Sequence, residues 1–269
     1  MENAGSSRMH DCQTHDVSLK PWMSDSSEVN DQPKNVLNRQ ISEEENADKR
    51  TQFRNHIIKR MKTNITRHQL IDLLTDIQEC SDDEKDSLVK LLPLKFYFRD
   101  TPFTSSTAHT LAQILPRLHG PVEELDLSRC KLNLDSLKII CEGTSKLKYK
   151  MEFLDVGGNE LGDEEVKIIS VVLNKVGELR LWDCGISATG LEVLCGEIKK
   201  LETPMESLDL SYNKFGDEGV KIISVILNKV GMLRLIGCEI SEDGKQILRE
   251  ELKRLGLPVS SFVRFLVKL

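Results

Sequence analysis

The feature that most constrains this chain is an internal duplication with a period of 54 residues. Residues 151–176 match residues 205–230 at 18 of 26 positions, and residues 177–204 match residues 231–258 at 13 of 28. A fixed period of this kind is the signature of a repeat architecture, in which each unit buries its apolar face only against its neighbours. The duplication therefore predicts a solenoid of stacked units.

Each 54-residue block contains two shorter repeats, marked by pairs of apolar residues separated by one position. From Leu125/Leu127 onward the steps between pairs are 29, 25, 29 and 25 residues, and Phe96/Phe98 lies 29 residues before Leu125/Leu127. The later pairs are Leu154/Val156, Leu179/Leu181, Leu208/Leu210 and Leu233/Leu235. Alternation with period 2 is typical of a very short strand whose leucines face the core. The first pair belongs to a degenerate repeat, residues 93–120, in which aromatic residues replace leucines.

The rest of each repeat has a regular order of turn and helix. Three residues after the second leucine, the chain is expected to leave the strand and turn inward. The residue at that position is Cys130, Asn159, Cys184, Asn213 or Cys238. A buried Asn can bond the backbone of neighbouring turns, whereas a Cys fills the position as a small apolar residue. A glycine and an amphipathic helix follow. The expected fold is α/β, a solenoid with short parallel strands inside and helices outside.

These repeats resemble the long leucine-rich repeats of the ribonuclease-inhibitor type, with their alternating Cys and Asn. The phrases LDLSYNKFGDEGVKIIS and LRLIGCEIS resemble the C-terminal repeats of fish NOD-like receptors over about residues 93–258. The resemblance implies an innate-immune protein whose repeats bind ligands or restrain a nucleotide-binding NACHT domain. No NACHT-like segment is present, and Gly237…Gly244-Lys245 has the wrong glycine spacing for a phosphate loop.

The sequence before the repeats divides into two zones. Residues 1–48 carry ten acidic and four basic side chains and few large apolar ones, so we expect an acidic disordered tail. Residues 49–92 form the predicted helical cap. Its first helix, 49–67, has seven Lys/Arg and no Asp or Glu, with an apolar stripe at Phe53, Ile57, Met61 and Ile65. We expect that stripe to dock on a neighbouring helix; the alternative is that this basic helix contacts an anionic membrane surface or an acidic partner.

Two further helices are predicted in the cap, the first capped by Thr66 and the second by a capping box of Ser81 and Glu84. Residues 93–269 are assigned to the repeat domain, with about six repeats. Four apolar residues are expected to seal its C-terminal end: Phe262, Val263, Phe265 and Leu266.

The candidate binding residues lie on the inner, concave face of the predicted solenoid. The middle residue of each doublet should stack across strands as a ladder, which runs Tyr97, Asp126, Asp155, Arg180, Asp209 and Arg234. Alternating signs from Asp155 onward favour a ladder that stabilises the solenoid itself. Asp126 beside Asp155, with Glu124 nearby, breaks the alternation and predicts an acidic patch for a basic protein partner.

Two aromatic residues on the same face complete the candidate site. Trp182 and Tyr212 follow the fourth and fifth doublets, and Trp is enriched among residues that dominate protein interfaces. The alternative is that Trp182 packs on neighbouring side chains of the ladder, and the sequence leaves both interpretations open.

Composition excludes several classes of function. A net charge of −6 argues against general nucleic-acid binding, and no run of apolar residues is long enough to span a membrane. Seven cysteines without a CxxC pair, and no apolar leader, predict free thiols in the cytoplasm. Neither G-x-S-x-G nor HExxH occurs, so we expect no enzymatic activity and no cofactor or metal.

The predicted function is a protein-interaction module similar to NOD-like receptor repeats, acting in innate immune signalling or its regulation. Two alternatives stay open. One is an enzyme inhibitor like ribonuclease inhibitor, which would use an acidic concave face against a basic enzyme. The other is a GTPase activator like Ran-GAP, although no arginine or asparagine can be identified as catalytic from the sequence.

Overall fold

A computed structural model describes residues 32–63 and 66–257, with side chains described from residue 45 onward. Its six strands form one parallel sheet in which neighbours in sequence are neighbours in space. The strands are β1 (Lys95–Tyr97), β2 (Glu124–Asp126), β3 (Met151–Asp155), β4 (Val176–Arg180), β5 (Met205–Asp209) and β6 (Val230–Arg234). Because consecutive parallel strands are joined by crossovers of one hand, the helices between them lie on one side of the sheet.

The described part of the chain has nine α-helices, of which six follow strands. They are α1 (Gln32–Met61), α2 (Arg67–Gln78), α3 (Asp82–Val89), α4 (Ser105–Ile114), α5 (Leu134–Ser145), α6 (Gly162–Ile169), α7 (Ala188–Lys200), α8 (Gly216–Ile223) and α9 (Glu242–Arg254). The two 25-residue steps contain the 8-residue helices α6 and α8, each continued by a short 3₁₀ turn. The 13-residue α7 occupies the 29-residue step between β4 and β5. The α-helix is therefore shorter in the 25-residue steps, and the 3₁₀ turn makes up part of the difference.

The register of the strands confirms the predicted solenoid. Leu125, Leu154, Leu179, Leu208 and Leu233 are aligned from β2 to β6, and each is at most 2% exposed. These leucines pack against the buried faces of the helices, so the core is one continuous apolar layer between the sheet and the helices.

The turn after each strand is fixed by the predicted Asn and Cys positions. The Asn213 amide donates to the Leu181 and Leu210 carbonyls at 2.7 and 2.9 Å, and its oxygen accepts from the backbone N–H groups of Cys184 and Ile186. The Cys238 thiol makes only longer contacts, to the carbonyl oxygens of Leu210 at 3.3 Å and Ile236 at 3.7 Å. Each Asn therefore satisfies backbone groups in its own repeat and in the preceding one.

The helices before the repeats differ in part from the expectation. Thr66 caps α2 with a full capping box, as predicted, and the Glu84 carboxylate accepts from the backbone N–H and hydroxyl of Ser81 at the start of α3. The predicted helix 49–67 is instead the last part of α1, which ends at Met61 because a new helix begins after Thr66.

The apolar stripe of this helix faces its neighbours. Ile57 is fully buried, Phe53 is 37% exposed, and the guanidinium of Arg60 pairs with Asp76 of α2. This favours docking on the adjacent helices over contact with a membrane surface. No helix in the described ranges is long and apolar enough to cross a membrane.

Some predictions fall outside the described residues or differ at their boundaries. Residues 32–48, expected to be disordered, are helical as the first part of α1. They contain good helix formers, and the prediction from low apolar content missed that propensity. Residues 1–31, Ile65 and the expected C-terminal seal at Phe262, Val263, Phe265 and Leu266 lie outside the described residues. The chain divides into two compact units, 1–49 and 50–269, so the predicted boundary at 92/93 stays a prediction.

Candidate functional site

The face of the sheet opposite the helices, here called the strand face, carries the candidate residues. Its central row runs in register across the six strands: Tyr97, Asp126, Asp155, Arg180, Asp209 and Arg234. The row beside it, on the side where the strands begin, consists of Lys95, Glu124, Phe153, Glu178, Ser207 and Met232. The structure thus brings six of the eight candidates into two adjacent rows, whereas Trp182 and Tyr212 lie after the ends of β4 and β5.

The aspartates of the central row hold the turns that follow their strands. One carboxylate oxygen of Asp126 accepts from the backbone N–H of Ser128, that of Asp155 from Gly157, and that of Asp209 from Ser211, each at 2.9 Å. This local bond gives Asp a role at the end of a short strand whether or not a partner binds. A structural role therefore accounts for part of the central row.

Asp155 is the most deeply placed of these carboxylates, with only 4% of its surface exposed. Its oxygen accepts from the indole N–H of Trp182 at 3.1 Å, and Arg180 lies 3.8 Å away. Burial raises the pKa of Asp155 above its ordinary value, and the charge of Asp126 adds to that rise, while the Gly157 and Trp182 N–H groups and Arg180 oppose it. Asp155 is consequently closed off from solvent and does not belong to an accessible acidic patch.

The indole bond gives a testable dependence on pH. The indole N–H lowers the pKa of Asp155 in the folded protein, so Trp182→Phe, which removes this donor, raises that pKa further. At neutral pH we expect a loss of about 1.5–3 kcal/mol in the free energy of unfolding, because a buried carboxylate loses a donor. The penalty should shrink toward about pH 4, where protonation removes the charge that needs the donor.

Urea denaturation of the wild type and Trp182→Phe at both pH values measures this difference. A penalty of the same size at neutral and acid pH would contradict the assigned role of the Trp182–Asp155 bond.

Glu178 links the two arginines of the central row. One of its carboxylate oxygens accepts from Arg180 at 3.0 Å and from Arg234 at 3.4 Å. Arg234 reaches it from β6 across the intervening strand, where the small Ser207 occupies the row position next to Glu178. Arg180 also lies over the ring of Phe153, 4.2 Å from its centroid. Both arginines are therefore occupied by contacts within the solenoid.

Trp182 lies against the neighbouring repeat. A Cβ on Gly157 would fall 2.2 Å from its indole nitrogen, and a Cβ on Gly158 would fall 2.9 Å from its six-membered ring. The guanidinium of Arg129 lies 5.2 Å from the ring centroid. The two glycines make room for the indole, which is half-buried. Trp182 therefore packs against neighbouring residues of the solenoid.

Tyr212 is the more accessible aromatic residue, with 56% of its surface exposed. Its backbone has a positive φ of 61°, which is a left-handed conformation. Gly158 and Gly237, at the equivalent position of other repeats, have the same conformation. A Cβ on Gly237 would lie 2.7 Å from the Tyr212 ring, so the ring rests over that glycine. Tyr212 thus presents one side of its ring at the margin of the strand face.

Within the two rows, the carboxylates without a basic partner are those of Glu124 and Asp126, here called the acidic pair. Both side chains are partly exposed, and neither has a Lys or Arg partner within 4.0 Å among the described side chains. The Tyr97 hydroxyl donates to Glu124 at 2.6 Å, and this bond is the main cause that raises the pKa of Tyr97 to about 12. The acidic pair and Tyr97 form one polar, aromatic-edged end of the strand face.

Sequence reasoning missed Glu178 and Phe153. Both occupy the row that precedes each doublet, and a signal was available, since that row also faces away from the core by the period of two. The bridge from Glu178 to Arg234 depends on side-chain reach across a strand, which the doublet spacing does not encode.

Five of the six cysteines within the described ranges are buried. Burial raises the pKa of five thiols to about 12, those of Cys130, Cys141, Cys184, Cys195 and Cys238. A thiolate is the form that attacks electrophiles or binds metals, so these thiols serve as small apolar residues. Within the described ranges no group of three His, Cys, Asp or Glu side chains is arranged to hold a metal ion.

Comparison with known proteins agrees with this architecture. A family model described as "Leucine Rich repeat" matches residues 203–224. Ribonuclease inhibitor of Sus scrofa is 32% identical over 128 residues, which is 46% of this chain and 28% of the inhibitor. Ribonuclease inhibitor of Mus musculus is 25% identical over 155 residues, 54% of this chain and 34% of the inhibitor.

A third relative is the "NACHT, LRR and PYD domains-containing protein 12" of Mus musculus, 25% identical over 151 residues, 44% of this chain and 14% of that protein. The chain thus spans about a third or less of the length of each of these relatives.

The parallel sheet, the outer helices and the Asn and Cys turns define a leucine-rich-repeat protein. Its repeats are similar to parts of ribonuclease inhibitor and of the NACHT, LRR and PYD domains-containing protein 12.

Proposed function

We propose that this chain is a cytoplasmic, non-enzymatic module that binds a protein through its strand face. The observation that carries the proposal is the acidic pair. Asp155 and Asp209 lie within 4.0 Å of Arg180 and Arg234, and both arginines also contact Glu178. Glu124 and Asp126, by contrast, carry charge without a basic partner among the described side chains. A basic protein surface would complement them, and Tyr97 supplies an aromatic edge next to the charge.

The same proposal places the module in innate immune sensing or its regulation. Its support is the similarity to a mouse protein whose name includes NACHT and PYD domains, together with the Asn and Cys repeats described above. Tyr212, the most exposed aromatic residue of the strand-face margin, is the proposed apolar anchor, and half-buried Trp182 has a supporting role beside it.

The double variant Glu124→Gln/Asp126→Asn tests the acidic pair. It removes two charges and keeps the oxygen atoms that accept from Tyr97 and Ser128. We expect the affinity for a captured partner to fall about tenfold or more, and the salt dependence of binding to weaken. The measurement is quantitative mass spectrometry of proteins recovered from immune-cell lysate, followed by titration with the purified partner.

The matched control is Asp135→Asn/Glu142→Gln, which makes the same change of charge on α5, on the helical side of the sheet. Its affinity should stay within about twofold of the wild type, because exposed surface charges away from an interface contribute little. If both double variants bound the partner as well as the wild type, the strand face would not be the binding surface.

A second candidate function is inhibition of a basic ribonuclease. Its support is the 32% identity to pig ribonuclease inhibitor and the sign of the acidic pair. Adding pancreatic-type ribonuclease to the same titration separates the two candidates. Tight, salt-sensitive inhibition would favour the inhibitor function, and unchanged ribonuclease activity would remove it.

A further inference from the structure

A second charged surface lies at the edge of the sheet where the strands begin. There a cleft of about 440 Å³, here called the basic cleft, is lined by the end of α3, the turn after α4 and the loop between α5 and β3. Its polar and aromatic side chains are Asp86, Lys90, Arg117, His119, Lys148 and Tyr149. Three Lys or Arg charges face one carboxylate, which leaves an excess of positive charge in a protein whose net charge is −6.

The basic side chains of the basic cleft differ in whether a carboxylate pairs with them. Arg117 donates to Asp86 and to Asp82, both on α3 and both at 2.8 Å, so its guanidinium is fixed and largely neutralised. Lys90 and Lys148 have no carboxylate within 4.0 Å in the described part of the chain. Two ammonium groups therefore face the cleft with their charge uncompensated.

Favourable interaction with a helix C-terminus accounts for only some of the positive charges in and near the basic cleft. Lys90 is the C-cap of α3, and Lys146 is the C-cap of α5, where a positive charge interacts favourably with the helix dipole. Lys148 and Tyr149 come after that end and are not required by it. Tyr149 is 51% exposed, and its ring borders the cleft beside Lys148.

We propose that the basic cleft binds a small ligand that carries phosphate groups. Lys90 and Lys148 would hold the phosphates as point charges, and Tyr149 would pack against the organic part of the ligand. The volume of the cleft lies within the range of small-molecule sites, about 300–1,000 Å³. A nucleic-acid strand is less favoured, because it would extend beyond the cleft over a surface that is acidic overall.

Isothermal titration of the full chain with ATP and with inositol hexakisphosphate tests the proposal. We expect binding that weakens with salt, and a loss of about tenfold or more in affinity for Lys148→Glu, because the substitution replaces a phosphate contact by repulsion. Tyr149→Ala should weaken ATP binding and leave the charge of the cleft unchanged.

Lys199→Glu is the matched control, because Lys199 is an exposed lysine in the last turn of α7, outside the cleft. Its affinity should stay within about twofold of the wild type. Equal losses for Lys148→Glu and Lys199→Glu would overturn the proposal in favour of general charge attraction. Absence of binding by the wild type to every probe used would overturn it as well.

Vesicles identify the source of the phosphate. Binding to phosphatidylcholine vesicles that contain phosphatidylinositol 4,5-bisphosphate, lost in Lys148→Glu, would support the cleft and assign it to a lipid headgroup. Binding of the soluble probes alone, also lost in Lys148→Glu, would support the cleft and assign it to a soluble phosphate.

Discussion

Asn213→Ala is expected to lower the free energy of unfolding by about 4 kcal/mol or more, the largest effect of any single substitution considered. The Asn213 side chain is fully buried and accepts from the backbone N–H groups of Cys184 and Ile186 at 3.1 and 3.0 Å. Alanine leaves both donors buried without a partner, and each unmade bond costs about 1–3 kcal/mol. The loss of the bonds to Leu181 and Leu210 adds to this.

Cys184→Ala is the control for this substitution. Cys184 occupies the equivalent position one repeat earlier, and its thiol makes only long contacts to carbonyl oxygens, 3.5 and 3.6 Å. We expect a loss of about 1 kcal/mol, from the smaller buried volume. Urea denaturation of the two variants compares them directly, and equal losses would show that the Asn bonds do not hold the repeats together.

The same bonds explain why the repeats come in pairs. Asn159 and Asn213 accept from backbone N–H groups of the preceding Cys-containing repeat, at Leu132 for the first and at Cys184 and Ile186 for the second. A Cys thiol has no comparable acceptor, so a Cys repeat depends on the Asn repeat after it. Duplication of a pair preserves this dependence, which accounts for the 54-residue period.

Gly143→Ala is expected to destabilise the protein by about 2 kcal/mol or more, although alanine favours helices. Gly143 lies in α5, and a Cβ there would fall 2.6 Å from the Cα and 2.8 Å from the carbonyl oxygen of Ala112 in α4. Because the nearest atoms belong to backbone, one helix has to move away from the other. The stacking of successive helices would be disturbed along the solenoid.

Gly196→Ala provides a control in which the same change has the opposite sign. Gly196 lies within α7, and a Cβ there has nothing within 4 Å. Helix propensity then dominates, and the substitution should stabilise the protein by about 0.5–1 kcal/mol. Thermal denaturation of the two variants measures both effects, and a gain in stability for Gly143→Ala would contradict the close approach of α4 and α5.

Much of the fold follows from local sequence patterns. The leucine doublets, the inward Asn and Cys, and the cap at Thr66 each depend on spacing within one repeat or one helix, and the structure confirms them. The end of α1 at Met61 was missed, because the basic run continues to Arg67 while the helix does not. The helix predicted from the basic run therefore overlapped the cap that was separately predicted at Thr66.

The sequence predicted the position of the candidate site better than it predicted the contacts and burial of its side chains. Register placed the central row correctly, since it follows from the doublets. The contact of Trp182 with Gly157 and Gly158 joins residues about one repeat apart, and no local pattern encodes it. The same holds for the burial of Asp155, which reduces the predicted acidic patch to Glu124 and Asp126.

Site-specific photo-cross-linking tests most directly whether the strand face binds a protein. A photoreactive phenylalanine analogue replaces Tyr97, which is 43% exposed beside the acidic pair, or Lys138 on α5 as the control on the helical side. The proposed function predicts a covalent adduct with a partner protein from position 97 and none from position 138. Adducts from position 138 alone would contradict it.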